Sequence, residues 1–518
     1  MRPAYPEYTE GSRNPEFWRA IRYVYPLFLL TIFFNGIYLR QGVNYFCLIK
    51  ISDRKINYFF MLNDKKPANG ENGNNKKNNN NHSELIKSID PKKFLFVSLE
   101  ALSGDLAWAL TKEGHQIKAY IKCKSDADIY DGFFEKVDNW EQYKDWADVI
   151  IFDDVGFGQI AEKLRKQGKL IIGGSIYTDR LENDREFGQI EMKNHGINIL
   201  PSWQFANYDE AINFIKNNPA RYVFKPCGNL MSSEKALLFL GEEEDGKDLL
   251  ELLEQNKDVW KKKAPQFILQ KFINGVEVAV GAFFNGHDFI YPINVNFEHK
   301  RIFPGNLGPF TGEMGTLMYW SSPNKLFNLT LEKMLPKLKE SGYIGYVDIN
   351  CIVNGRGIYP LEFTTRFGYP TIQIQQEGIL MPAGEWLYRL AKGENFELKT
   401  RRGFQVGICI AVESMFSDTI DSETVNLYHD LAVTFKNSSN IDGVHIFDVK
   451  IDKGIWRIAG TSGVLLVVTG SGTTVEDARN MAYGRIRNII IPNMLYRTDI
   501  GAGWAVDGDR LHTWGYLR

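Results

Sequence analysis

The stretch YIGYVDINCIVNGRGIYPLEFTTRFGYP, residues 343–370, holds the pattern on which the rest of the chain is read. Two runs of alternating apolar and polar residues flank Asn354, Gly355 and Gly357, residue types that make tight turns, so the spacing predicts an antiparallel hairpin. With the loop centred on Gly355, Asp348 and Glu362 lie seven residues to either side and face each other across the pair. Opposed side chains on one face have Cβ atoms about 5 Å apart, and two like charges there destabilise the sheet unless a cation neutralises them. Carboxylate oxygens suit magnesium, which uses one or two such ligands and completes its shell with phosphate and water oxygens. A register one residue different sends the two carboxylates to opposite faces. Arg366, four residues beyond Glu362, is placed either to meet a phosphate or to form a surface ion pair.

Upstream of this hairpin, Lys225 ends the strand-like RYVFKP and precedes a polar loop with Gly228, Ser232 and Ser233. A lysine leaving a strand beside such a loop reaches nucleotide phosphates, with loop amides as further donors. In QKFINGVEVAV, Glu277 follows a turn at Asn274 and Gly275, where it either bonds a ribose or faces solvent. The loop EHKRIFPGNLGPFTGEMG packs Gly305, Gly308, Gly312 and Gly315 behind His299, Lys300 and Arg301, offering amides and positive charge to an anionic substrate.

Beyond these motifs the chain reads as mixed α/β and α+β. From Lys93, FLFVSL, a helical ALSGDLAWALTKEGH, IKAYIK, ADVIIFDD, GQIAEKLRKQG and KLIIGG alternate strand and helix, the mark of a small doubly wound N-terminal domain over 91–177 whose ligand lies at the strands' carboxyl ends. Its first loop has the single glycine Gly104 and lacks the GxGxxG of a dinucleotide fold; Ser103 and Asp105 there serve either as helix caps or as ligands. Residues 178–400 form an α+β region, and 401–518 a closing α+β lobe with one clear helix, VEDARNMAYGRIRNII, capped at Thr473 or Thr474.

Residues 1–90 read as an extension ending in a low-complexity linker, NGENGNNKKNNNN at 69–81, which cannot bury enough surface to offset chain entropy. The apolar run 24–39 is interrupted by Pro26 and Asn35 and is shorter than the roughly 20 residues a span needs, so it reads as a leader or loose appendage and membrane association is not expected. Lysine and arginine total 61 against 63 acidic residues, which leaves no positive field for nucleic acid. Five scattered cysteines make neither a disulfide framework nor a zinc site, so the expected compartment is the cytoplasm and the expected partners are small molecules.

Three pieces are more specific: HKRIFPGNLGPFTGEMG at 299–315, LEFTTRFGYP at 361–370 and YRTDIG at 496–501. Together with the order of the other elements, they resemble the phosphoribosylamine-glycine ligase family of the ATP-grasp superfamily, and the resemblance runs from about Phe94 to Gly503. It implies an N-terminal doubly wound domain, an ATP-grasp domain over 178–400 and a C-terminal α+β lobe, acting with ATP and Mg2+ or Mn2+ to join glycine to phosphoribosylamine through an acyl phosphate. It also implies roles. Lys225 and Arg366 would act on phosphate and Arg185 would join them; Gln270, Lys271, Phe272 and Ile273 would form an adenine hinge, with Glu277 at the ribose. Glu362, Asp348 and Thr364 would hold the metal, and Lys300, Arg301, Thr311, Gly312 and Gly315 would hold substrate. The chain departs from the family pattern at Thr364, where the family has asparagine, at Arg185, where it has lysine, at Phe310 and Glu313 of the glycine-rich loop, and in SLEALSGDLAWA at 98–109. These departures keep two alternatives in view: a ligase for another amine, and a nucleotide-binding protein without turnover.

Overall fold

The computed structural model describes residues 37–41, 44–48, 50–51, 54–55, 89–227, 237–413 and 427–518. The chain divides into two compact units, Met1–Glu84 and Leu85–Arg518. In the first, strand Ile37–Gln41 pairs antiparallel with Asn44–Leu48, and Lys50–Ile51 with Arg54–Lys55. Of the apolar run 24–39 only residues 37–39 are described, within the first of these strands; the remainder and the asparagine-rich stretch 69–81 lie outside the described residues. Among the described residues no helix is long and apolar enough to cross a membrane.

The second unit begins with five parallel strands. β1 (Lys93–Ser98), β2 (Gln116–Ile121), β3 (Glu135–Lys136), β4 (Val149–Phe152) and β5 (Leu170–Ile172) stand in the order β3-β2-β1-β4-β5, with α1 (Gly104–Lys112) between β1 and β2 and α2 (Gly158–Lys166) between β4 and β5. The near-continuous apolar strands VIIF and FLFV are buried, as a parallel sheet covered on both faces requires. The strand order reverses between β1 and β4, so the crevice of this doubly wound sheet opens beside Ser98 and Asp153. Neither Ser103 nor Asp105 caps α1 with its side chain. Ser103 Oγ donates to Asp153 (2.7 Å), and buried Asp105 accepts from Gln376 Nε2 (2.8 Å) and the Ile446 amide (3.0 Å) and pairs with His445 Nδ1 (2.8 Å), fastening this domain to the later part of the chain.

After α3 (Ile176–Asn183) and α4 (Arg185–Asn194), a four-stranded antiparallel sheet follows: β6 (Ser202–Phe205), β7 (Tyr222–Cys227), β8 (Phe239–Leu240) and β9 (Gln266–Lys271), ordered β6-β9-β7-β8. α5 (Tyr208–Asn217) and α6 (Lys247–Lys263) present apolar stripes to it, so that Tyr208, Ile215, Leu249, Leu253, Phe224 and Phe267 form one small core. Lys225, next to Phe224 on β7, therefore points to the opposite face.

The largest element is an eight-stranded antiparallel sheet of β10 (Val276–Phe284), β11 (Phe289–Glu298), β14 (Gly315–Ser321), β15 (Gly345–Asn354), β16 (Gly357–Thr364), β17 (Phe404–Ala411), β18 (Val444–Ile446) and β19 (Val464–Gly472), ordered β16-β15-β10-β11-β14-β17-β19-β18; β12 (Arg301–Phe303) and β13 (Leu307–Phe310) make a separate hairpin between β11 and β14. The line drawn at residue 400 thus falls between neighbouring strands of one sheet. One face, with Val278, Val280, Val295, Val347, Ile349, Phe363 and Val406, is the main core. The other carries Glu277, Asn294, Asn296, Glu298, Thr316, Asp348, Asn350 and Glu362, as period-two alternation and the pairings dictate. The expected helix over 475–490 stops at α7 (Val475–Ile486), with Ile489–Ile490 in a short strand; Thr474 and Asp477 close it with a capping box.

Phe224 is fully buried, 4.7 Å from Phe267 between ring centroids. Phe224→Ala is expected to cost about 3–5 kcal/mol, the usual range for deleting a core ring, read as a lower urea midpoint of unfolding.

Candidate active site

The bulge in the β15–β16 pair decides the site. The turn has two residues, Gly355 and Arg356, with Asn354 opposite Gly357 and its side chain accepting from the Arg356 amide (2.9 Å). That turn alone sets Asp348 across from Phe363 and puts Glu362 on the apolar face. The extra residue between the Cys351–Pro360 and Asn350–Glu362 pairs, Leu361, shifts the register back. Asp348 therefore faces Thr364, not Glu362, while Glu362 faces Asn350; the carboxylates share a face on the diagonal, correcting the direct opposition expected from the spacing.

Around this face a cavity of about 600 Å³ opens between the two antiparallel sheets. Its wall includes Lys225, Arg185, Gln270, Lys271, Phe272, Ile273, Glu277, Lys300, Thr311, Gly312, Asp348, Glu362, Thr364 and Arg366, which unites all but two of the expected site residues. The two outside the wall have other employment. Arg301 donates to the Gly308 carbonyl (2.6 Å) and lies 3.7 Å over the Phe310 ring, bracing its own hairpin. Gly315 has φ +147°, and a Cβ there would meet the Gly407 carbonyl at 2.5 Å, so glycine is required by packing on β17. Residues the motifs did not single out complete the wall: Glu182, Glu298 and Asn350. The signal for the last two was parity, since Asn350 lies two from Asp348 and Glu298 two from Lys300.

Lys300 is the hub. Its Nζ stands 3.1 Å from Glu298, 3.2 Å from Glu362 and 3.5 Å from Glu277. Burial alone would lower this ammonium, but Glu298, Glu362 and Glu277 hold it well above the usual lysine range. In return Lys300, with Arg185 at 3.8 Å and Lys225, pulls the Glu362 carboxyl down to about 2. Burial and neighbouring Glu298 push Asp348 and Glu313 well above the carboxylate range. Burial, with Arg185 beside it, lowers the Lys225 ammonium to about 8.

Arg366 does not stand open to a ligand. Its Nε lies 3.0 Å from Asp154 and 3.1 Å from Glu182, and Nη1 donates to the Phe367 carbonyl (3.0 Å). Glu182 in turn accepts from the Thr365 amide (2.7 Å), so LEFTTRFG docks onto the LEND segment and the N-terminal domain together.

The wall fits a divalent cation. Asp348 Oδ1, Asn350 Oδ1 and Glu313 Oε1 are buried without a protein partner, all hard oxygen donors beside Glu362. Thr364, expected as a ligand, bonds Asp348 with its side chain and so steadies that carboxylate. Among the described residues no three His, Cys, Asp or Glu side chains converge as a ready-made metal cluster.

Two sheets closing on such a cavity define an ATP-grasp fold, and solved structures agree. A phosphoribosylamine–glycine ligase from Thermotoga maritima superposes with TM-score 0.59 at 20% identity, covering 79% of this chain and all of that one; a biotin carboxylase from Campylobacter jejuni gives 0.54 at 13%, covering 82% and 97%. Within that class, residues 183–372 match the family model for the ATP-grasp (A) domain of phosphoribosylglycinamide synthetase. The phosphoribosylamine–glycine ligase of Clostridium acetobutylicum is 22% identical over 358 residues, covering 66% of this chain and 81% of that protein; that of Helicobacter pylori is 27% identical over 355 residues, covering 66% and 78%.

Lys300→Met leaves Glu277, Glu298 and Glu362 without their shared cation. It is expected to destabilise the protein at pH 7 by about 1–3 kcal/mol, below the fully buried range because Glu277 and Glu362 stay partly exposed. Protonated carboxyls need no counter-charge, so the gap between wild type and variant should narrow on acidification; urea titrations at pH 7 and pH 4.5 measure it.

Proposed function

We infer that the protein is an ATP-dependent carboxylate–amine ligase that joins glycine to phosphoribosylamine, a step of purine biosynthesis. The observation that carries this reading is the single cavity in which a strand-end hinge, Lys225, Lys300 and a carboxylate-bearing sheet face meet within a matched phosphoribosylglycinamide synthetase A domain. The relatives that match over about four fifths of their own length bear the name of that reaction.

In this reading the adenine lies along Gln270, Lys271, Phe272 and Ile273, with Glu277 beside the ribose and Lys225 and Arg185 on the phosphates. A glycine carboxylate oxygen bonds to the γ-phosphorus as the bond to ADP breaks; the amine nitrogen then bonds to the acyl carbon, phosphate departs with the acyl oxygen, and the nitrogen gives up a proton. Such chemistry needs positioning and charge neutralisation more than a protein nucleophile. Lys225 and Lys300 supply fixed positive charge, and Thr311 and Gly312 close the site from the hairpin side. Glu362 with Asn350 and Asp348 would hold magnesium or manganese, which when bound offsets phosphate charge.

One observation favours a second reading in which the chemistry stays and the amine changes. At the crevice of the N-terminal sheet stand Glu100, Asp153 and Asp154; burial raises Asp153 to about 7 and Glu100 above its usual range, and the nearby Arg366 is already paired with Asp154. That crevice repels a phosphate dianion unless it rearranges.

ADP release by the full chain with ATP, magnesium and glycine, with and without freshly generated phosphoribosylamine, separates the two. The first reading expects release only with both substrates and a loss of about 100-fold or more in Glu362→Gln; the second expects release only when another amine is supplied. Nucleotide affinity supplies a pH test. Lys225 is charged below about pH 8 and neutral above it, while bound phosphate keeps it charged, so ATP binding should weaken about tenfold per unit as pH rises past 8. Lys225→Arg should flatten that slope.

A further inference from the structure

The YRTDIG segment lies outside the cavity wall, yet it holds one side of that wall in place. Arg497 is 1% exposed, and every face of its guanidinium is used. Nε and Nη2 grip Asp499 through both carboxylate oxygens (2.8 and 2.6 Å), while Nη1 donates to the Arg301 carbonyl (2.8 Å) and to Asn306 Oδ1 (3.1 Å). Asp499 then accepts from the Gly305 amide (2.9 Å). The pair thus holds the β12–β13 hairpin at its first residue and at its tip. A third tie lies at the hairpin's base. Burial, with Arg497 nearby, lowers His299 to about 4, so its neutral Nε2 accepts from the Gly501 amide (3.3 Å).

The anchor is itself fixed. Tyr483 of α7 donates to the Arg497 carbonyl (2.9 Å) and accepts from the Ile500 amide (3.2 Å), and Arg479 bonds the Thr498 and Ile500 carbonyls. On the other side, the hairpin delivers its flanking residues to the cavity: Lys300 precedes it, and Phe310, Thr311, Gly312 and Glu313 close it, with the Thr311 amide and hydroxyl both bonded to the Lys300 carbonyl (2.8 and 2.9 Å). The nucleotide hinge at residues 270–273 belongs to the four-stranded sheet and shares none of these ties.

We propose that Arg497, through Asp499 and Asn306, is a positioning residue for the acid and amine side of the cavity: it sets where Thr311 and Gly312 stand and leaves the hinge at residues 270–273 untouched. This rests on the ligase reading for its kinetic arm alone. An ammonium cannot replace the fork, because lysine offers no planar set of donors that spans a carboxylate and two hairpin acceptors at once.

The test uses the full chain and three variants: Arg497→Lys, Asp499→Asn and Asn306→Gly, the last removing one surface acceptor at a left-handed position (φ +56°) that glycine accepts. Affinity for a fluorescent ATP analogue should change less than about threefold, while kcat/KM for glycine falls about tenfold or more. Amide exchange in peptides covering residues 299–313 should quicken in each variant and stay unchanged over residues 266–273. Unaltered kcat/KM, or nucleotide affinity lost in step with it, overturns the proposal. If the wild type shows no glycine-dependent turnover, the ligase reading fails, and the exchange measurement then decides this inference alone: unchanged exchange over 299–313 rejects it. Should Arg497→Lys fail to fold, Asn306→Gly carries both arms.

Discussion

One ammonium holds the centre of this molecule together. Lys300, between β11 and β12, reaches Glu298 at the end of β11, Glu277 on β10 and Glu362 on β16, so three strands of the sheet depend on a single positive charge. Without it the polar face of the eight-stranded sheet would gather carboxylates that only protonation could relieve. With it, the same face becomes a graded field: Glu362 stays ionised beside Lys300 and Arg185, while burial and neighbouring Glu298 push Asp348 and Glu313 toward their neutral forms.

Much of this was legible in the sequence because it rested on period-two alternation. The parity of Asp348 and Glu362 about Gly355 correctly put both on one face, although by a different route from a centred loop: a two-residue turn and a bulge at Leu361 that no local residue type announces. The strand alternation, the doubly wound N-terminal order and the glycine-rich loop were likewise open to reading. Roles that depend on distant partners were not. Arg366 looked like a phosphate ligand by its distance from Glu362, yet Asp154 and Glu182, on two other elements, occupy it. Gly315 and Arg301 looked like substrate contacts in a loop, and only the docking of β17 and the curl of the hairpin show that they lie outside the cavity wall. Ser103 and Asp105 stood where caps stand, but tertiary partners captured both.

The N-terminal sheet and the nucleotide cavity are joined by charge. Arg366 binds Asp154 from one domain and Glu182 from the other, while Asp105 ties α1 to His445 and Gln376. Asp154, beside the crevice between β1 and β4, and Glu182 in the cavity wall therefore share one guanidinium.

The sheet that spans β10 to β19 also sets an order on synthesis. The parallel strands of residues 93–172 are neighbours in sequence and can pair as soon as they leave the ribosome, whereas the large sheet draws strands from residue 276 to residue 472 and is locked to residues 497–501 only afterwards. A nascent chain stopped near residue 460 would own Lys225 and Lys300 and lack the strand on which its sheet's far edge is built. The hairpin at residues 301–310 can therefore gain its ties to Arg497 and Asp499 only after almost the whole chain has been made.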